Sequence, residues 1–110
     1  MIEIKSINQL KEITAKSKAA LIYFFNDTCA PCVALRPKVS ELVETHFPLM
    51  ELYFCNAIQY PEIAADYGIF ASPALLVYFE GKEYIRESKY ISMSALSASI
   101  AKFYNMVFGL

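Results

Sequence analysis

The chain has 110 residues, which is enough for one domain with its own core and too few for two. It is 56% hydrophobic, with eight Tyr and eight Phe, a composition that excludes disorder as a description of the whole. Ten Lys and Arg against eleven Asp and Glu leave a net charge of −1, so the basic footprint of a nucleic-acid or anionic-membrane binder is missing, and small molecules or proteins remain as partners.

Ile2 and Ile4 alternate with charged residues as a short strand. Ser6 with Gln9 three residues later has capping-box spacing, and a helix is expected from about Ile7 to Lys16. Ala19 to Phe25 is a continuous apolar run, the form of a central strand covered on both faces. It is also the longest such run, far short of the roughly 20 residues of a membrane span. The N-terminus shows no apolar leader pattern, so a cytoplasmic chain is expected. Asn26-Asp27-Thr28 is a turn cluster. Leu35, Val39, Leu42 and His46 then recur with helical spacing as one inward stripe, and Pro37 inside that helix removes a backbone hydrogen bond.

Met50 to Cys55 reads as another strand, Pro61 suits a first helical turn, and Ile63 to Tyr67 forms a brief helix closed by Gly68. Ala74 to Phe79 is apolar and β-prone, and Glu80-Gly81-Lys82 reverses it into Glu83 to Arg86 as a hairpin. Ser92 caps a last helix with Leu96, Ile100, Phe103 and Val107 on one side. The order β-α-β-α-β-α-β-β-α, with no linker, implies one domain over residues 1–110: parallel central strands joined by helical crossovers, with an antiparallel hairpin at one side.

Cysteine placement narrows the chemistry. Cys29-Ala30-Pro31-Cys32 lies directly after the apolar strand and at the start of a helix. Unpaired N–H groups and the positive dipole end favour a thiolate there, so Cys29 is expected to have a lowered pKa and to be the nucleophile. Cys32, one turn on, is placed to attack a mixed disulfide at Cys29 and release the substrate thiol. Pro31 restricts the turn between them.

A CxxC beside a βαβ pattern reads as a thioredoxin-like motif. The chain resembles the thioredoxin family along nearly its whole length, through Leu21-Ile22-Tyr23-Phe24-Phe25, the CAPC motif, Pro37, Tyr67-Gly68-Ile69 and Ser72-Pro73-Ala74. The resemblance implies the thioredoxin fold, an α/β protein with three α/β/α layers around a mixed sheet. It also implies that Pro73 is cis and lies against the cysteine pair, and that Ser72 offers backbone hydrogen bonds to an extended substrate. Thr28, Ala30 and Pro31 would border the same substrate site.

The departures are specific. Where the family usually buries an Asp this chain has Tyr23, and its Lys partner on the third strand aligns with Phe54. The usual Trp before the first cysteine is Thr28, and a Gly inside the motif is Ala30. Losing both members of an interior charge pair is coherent, because one left alone is costly to bury. Proton handling then passes to a water, the Tyr23 hydroxyl or a nearby surface group. Lys89 aligns with a glycine that usually lines the substrate groove, which would bring positive charge near Cys29.

A zinc site would need four ligands; Cys55 could be a third, but His46, the only histidine, lies at the far end of its helix. No metal and no cofactor are expected. Cys55 reads as a small core hydrophobe, and His46 as structural near a helix C-terminus, where the dipole favours a protonated imidazole. Tyr67 and Phe70 border either the groove or the core. The expected activity is reduction of protein disulfides by exchange at Cys29 and Cys32, in a monomer that a thioredoxin-reductase-type donor restores. The alternative is a binding or redox-sensing module with little turnover.

Overall fold

The computed structural model describes residues 2–110. Its elements run β1 (Ile2–Glu3), α1 (Ile7–Lys16), β2 (Ala19–Phe25), α2 (Ala30–His46), β3 (Glu51–Asn56), α3 (Pro61–Asp66), β4 (Ala74–Phe79), β5 (Lys82–Ser88) and α4 (Met93–Phe108). The strands form one sheet in the order β1-β3-β2-β4-β5. β3 is parallel to β1 and to β2, whereas β4 is antiparallel to β2 and β5. Each parallel step needs a crossover, and α1 and α2 supply them.

The caps explain why the helices begin where they do. Ser6 Oγ accepts the Gln9 N–H at 3.1 Å, while Gln9 Oε1 reaches back to the Lys5 N–H at 2.8 Å. Ser92 Oγ accepts the Ala95 N–H at 3.3 Å at the start of α4. That helix ends at Gly109, whose φ of 70° is the left-handed conformation glycine adopts without strain.

β2 is buried along its whole length and divides the core in two. Ala19, Leu21, Tyr23 and Phe25 point to the face covered by α2 and α4, together with Phe54, Leu75, Val77, Val39 and Ile100. Ala20, Ile22 and Phe24 point to the other face, with Leu10 of α1, Ile63 of α3, Cys55 and Leu76. This is the three-layer thioredoxin fold, with the sheet central. Among the described residues, no helix is long and apolar enough to cross a membrane.

Three local expectations need correction. The inward stripe of α2 does not end on His46, which is exposed; it passes through Val43 to Phe47, the buried C-cap residue. The third helix spans Pro61–Asp66 instead of Ile63 to Tyr67, because Pro61 occupies its first turn and Tyr67 is already the C-cap. β5 continues past Arg86 to Ser88, since its pairing with β4 runs on to Ala74. Cys55 is fully buried, and burial, reinforced by Glu62, pushes its thiol up to about 12, consistent with a protonated core residue.

Candidate active site

The site forms where β2 runs out. Asn26 Oδ1 accepts from the Thr28 N–H at 3.0 Å and from the Thr28 hydroxyl at 2.8 Å, an Asx turn that aims the chain into α2. Cys29 is the N-cap of α2, with extended backbone at φ −92° and ψ 105°. Its Sγ accepts the Cys32 N–H at 3.2 Å, one of the donors that a helix start leaves unpaired. The two cysteines are joined as a disulfide across a Cα–Cα distance of 5.2 Å. Cys29 is partly buried and Cys32 is 2% exposed, so the first sulfur is the one a substrate can reach.

The antiparallel pairing of β2 with β4 sets Phe24 opposite Ala74, which brings the start of β4 beside the cysteine turn. The Ser72–Pro73 peptide there is cis, as the resemblance implied, and Pro73 is buried. The Pro73 carbonyl accepts the Lys89 N–H at 2.8 Å. Lys89 itself holds φ 64°, the left-handed conformation that glycine tolerates best, at the position where the family usually has glycine. Pro31 and Pro73 line a shallow depression together with Lys89, Ala34, Leu35, Lys38 and Ile91. On the other flank Ser72 lines a hollow with Asn26, Ile58, Phe70 and Ala71, and Thr28 lines an adjoining one that shares Asn26 and Ile58. Phe70 is 86% exposed on this rim, whereas Tyr67 turns toward α1, its hydroxyl 3.3 Å from Thr14 Oγ1. Ala30 is exposed between the cysteines.

Beneath the pair, the two positions that the resemblance aligned with the family's usual charge pair face each other. Tyr23 and Phe54 are register partners on β2 and β3, fully buried, with ring centroids 5.9 Å apart in an edge-to-face arrangement. The Tyr23 hydroxyl donates to the Cys32 carbonyl at 2.9 Å. Burial holds the phenol at about 12, with nearby Arg36 pulling the other way. A hydroxyl that stays protonated and spends its proton on a carbonyl anchors the first turn of α2; it does not serve as a base at neutral pH.

Sequence reasoning passed over Arg36. Its guanidinium lies 4.5 Å from the centroids of both the Phe25 and Phe54 rings, and Nη2 is 3.7 Å from Glu3 Oε1. The signal was available, since Arg36 stands four residues after Cys32 on one helix face, over two aromatic positions of neighbouring strands. Among the described residues, no three His, Cys, Asp or Glu side chains converge as a metal site.

A disulfide-bonded cysteine pair at the start of a helix, beside a cis-proline loop, is the site of a thiol:disulfide oxidoreductase. The thioredoxin family model matches residues 2–102, and the chain belongs to that family. It is 26% identical over 109 residues to a thioredoxin-like protein, YdfQ, of Bacillus subtilis, covering 99% of this chain and 96% of that one. Thioredoxin-1 of Schizosaccharomyces pombe is 30% identical over 98 residues, covering 89% of this chain and 93% of that protein. The structure of Fasciola hepatica thioredoxin superimposes with a TM-score of 0.82 at 27% identity, over 93% of this chain and 98% of the other.

Proposed function

We propose that the chain reduces disulfides in protein substrates. Cys29 as thiolate attacks a substrate disulfide, forming a Cys29–substrate disulfide and releasing one substrate thiolate. Cys32 then attacks Cys29 Sγ, which expels the second substrate thiolate and leaves Cys29 and Cys32 oxidised. The observation that carries this reading is the asymmetry of the pair: one sulfur at the open N-cap, the other buried one turn below it. Thr28, Ala30 and Pro31 form one bank of the substrate site and Ser72 and Pro73 the other, with the Ser72 backbone pairing to an extended segment. Lys89 adds positive charge to the rim beside Pro73. A reductase-type donor in the cytoplasm restores the dithiol, and the chain acts as a monomer of one domain without a bound cofactor.

The test is multiple-turnover reduction of insulin by catalytic amounts of the protein with a dithiol in excess. Many disulfides reduced per molecule are expected. No more than one per molecule would overturn the reading in favour of a module that binds or senses with little turnover.

A further inference from the structure

The apolar pair at Tyr23 and Phe54 leaves the resolving cysteine without an interior charge, yet a charge lies close by. Arg36 follows Cys32 by four residues, so both project from one face of α2. The guanidinium lies against Phe25 and Phe54, both buried, and its side chain is 27% exposed, so its field is less screened than that of a surface arginine. Phe54 in turn abuts Tyr23, whose hydroxyl is bonded to the Cys32 carbonyl. Arg36, Phe54, Tyr23 and Cys32 therefore form one contiguous stack under the disulfide.

Resting on the reductase reading above, we infer that Arg36 is a positioning residue for the resolving step: its guanidinium, seated on Phe25 and Phe54, supplies the positive field that favours a thiolate at Cys32. Tyr23 holds the turn that carries that thiol. The charge balance is simple. The Cys32 thiol gives its proton to solvent, the thiolate attacks Cys29 Sγ in the mixed disulfide, and the substrate sulfur leaves as a thiolate that solvent reprotonates. No interior base is required.

Among the described residues, the packed elements bring these groups to the stack. β1 contributes Glu3, which faces Arg36; β2 contributes Tyr23; β3 contributes the uncharged Phe54; and α2 contributes Arg36 and the cysteines. Lys38 and Lys89 line the open side of the first turn. Glu3 thus opposes the field of Arg36.

The experiment is a titration of the Cys32 thiol in the reduced protein, followed through the Cβ resonance of labelled cysteine, alongside stopped-flow resolution of a Cys29 mixed disulfide. Arg36→Met keeps an apolar stem on the rings and removes the charge. It should raise the Cys32 pKa by about half a unit, and slow resolution at neutral pH about twofold once the higher nucleophilicity of the more basic thiolate is counted. Arg36→Lys should restore most of both effects, and Arg36→Gln, which also removes the charge, should raise the pKa as Arg36→Met does. Should Arg36→Met fold poorly, Arg36→Gln carries the test, because a merely structural Arg36 predicts no upward shift in a folded variant that lacks the charge. The inference is overturned if Cys32 titrates within about 0.2 unit of wild type in the folded Arg36→Met or Arg36→Gln variant, or if Arg36→Lys titrates like Arg36→Met. Either result leaves the insulin assay on the wild-type chain as the separate judge of the reductase reading.

Discussion

Cys29→Ser is expected to abolish disulfide reduction, lowering insulin turnover by at least about 10³-fold to the rate of the dithiol alone. A hydroxyl cannot exchange with a disulfide, and Cys32, at 2% exposure, is too deep to take over the first attack. The substitution is mild in every other respect. Cys29 is the N-cap of α2 and its sulfur already accepts the Cys32 N–H, a role in which serine is among the preferred residues. The reduced wild type and the variant should therefore unfold at similar denaturant concentrations. Against the oxidised wild type, the variant should lose about 2 kcal/mol, the closure entropy of a four-residue loop. A variant that retains more than about a tenth of wild-type turnover would remove Cys29 from the mechanism.

Phe54→Lys, which restores one half of the family's usual pair, is expected to have the largest effect on stability. Phe54 is fully buried between the Tyr23 ring and the Arg36 guanidinium. Removing the ring costs about 3 kcal/mol in lost packing, and an ammonium in its place meets a protonated phenol and the like charge of Arg36, while the neighbouring carboxylate, Glu3, already faces that guanidinium. The total should reach about 4 kcal/mol or more, a large part of the 5–15 kcal/mol that holds a typical domain. Phe54→Leu, which keeps the site apolar, should cost about 1–2 kcal/mol. Adding Tyr23→Asp to Phe54→Lys should recover part of the loss, a coupling of about 1–3 kcal/mol between direct neighbours. Urea unfolding of the four proteins checks the cycle. A Phe54→Lys cost below about 1 kcal/mol would contradict the claim that this interior has become apolar as a unit.

The parts of the fold that were legible in the sequence are those where a local pattern has one physical solution. An unbroken apolar run of seven residues between polar flanks, rich in aromatic residues and short for a helix, has the form of a strand covered on both faces, and β2 occupies Ala19–Phe25 as expected. Ser6, Ser92 and the Glu80-Gly81-Lys82 reversal likewise act through bonds to near neighbours. The CAPC turn was legible for the same reason, because its chemistry depends on the helix start that immediately follows it.

What was missed depends on which element covers which. His46 lies in phase with the inward stripe of α2, yet the chain turns at Phe47 and buries that ring instead. Phe70 is a large apolar side chain that pattern alone could assign to core or groove, and its position past the end of α3 leaves it on the rim. Arg36 reads as an ordinary surface residue until β2 and β3 are set side by side, which brings Phe25 and Phe54 under its guanidinium. The substitutions at Tyr23 and Phe54 were visible one by one. Only the register of β2 on β3 shows that they touch, and that the lost charges are replaced by an aromatic contact and an anchored carbonyl.

The division of labour between the two sulfurs is tested most directly with Cys32→Ser, mixed with a disulfide-containing protein and analysed by mass spectrometry under non-reducing conditions. Attack by Cys29 without resolution predicts a stable one-to-one adduct whose linkage maps to Cys29 and disappears on addition of dithiothreitol. No adduct, or an adduct mapped to Cys55, would contradict it.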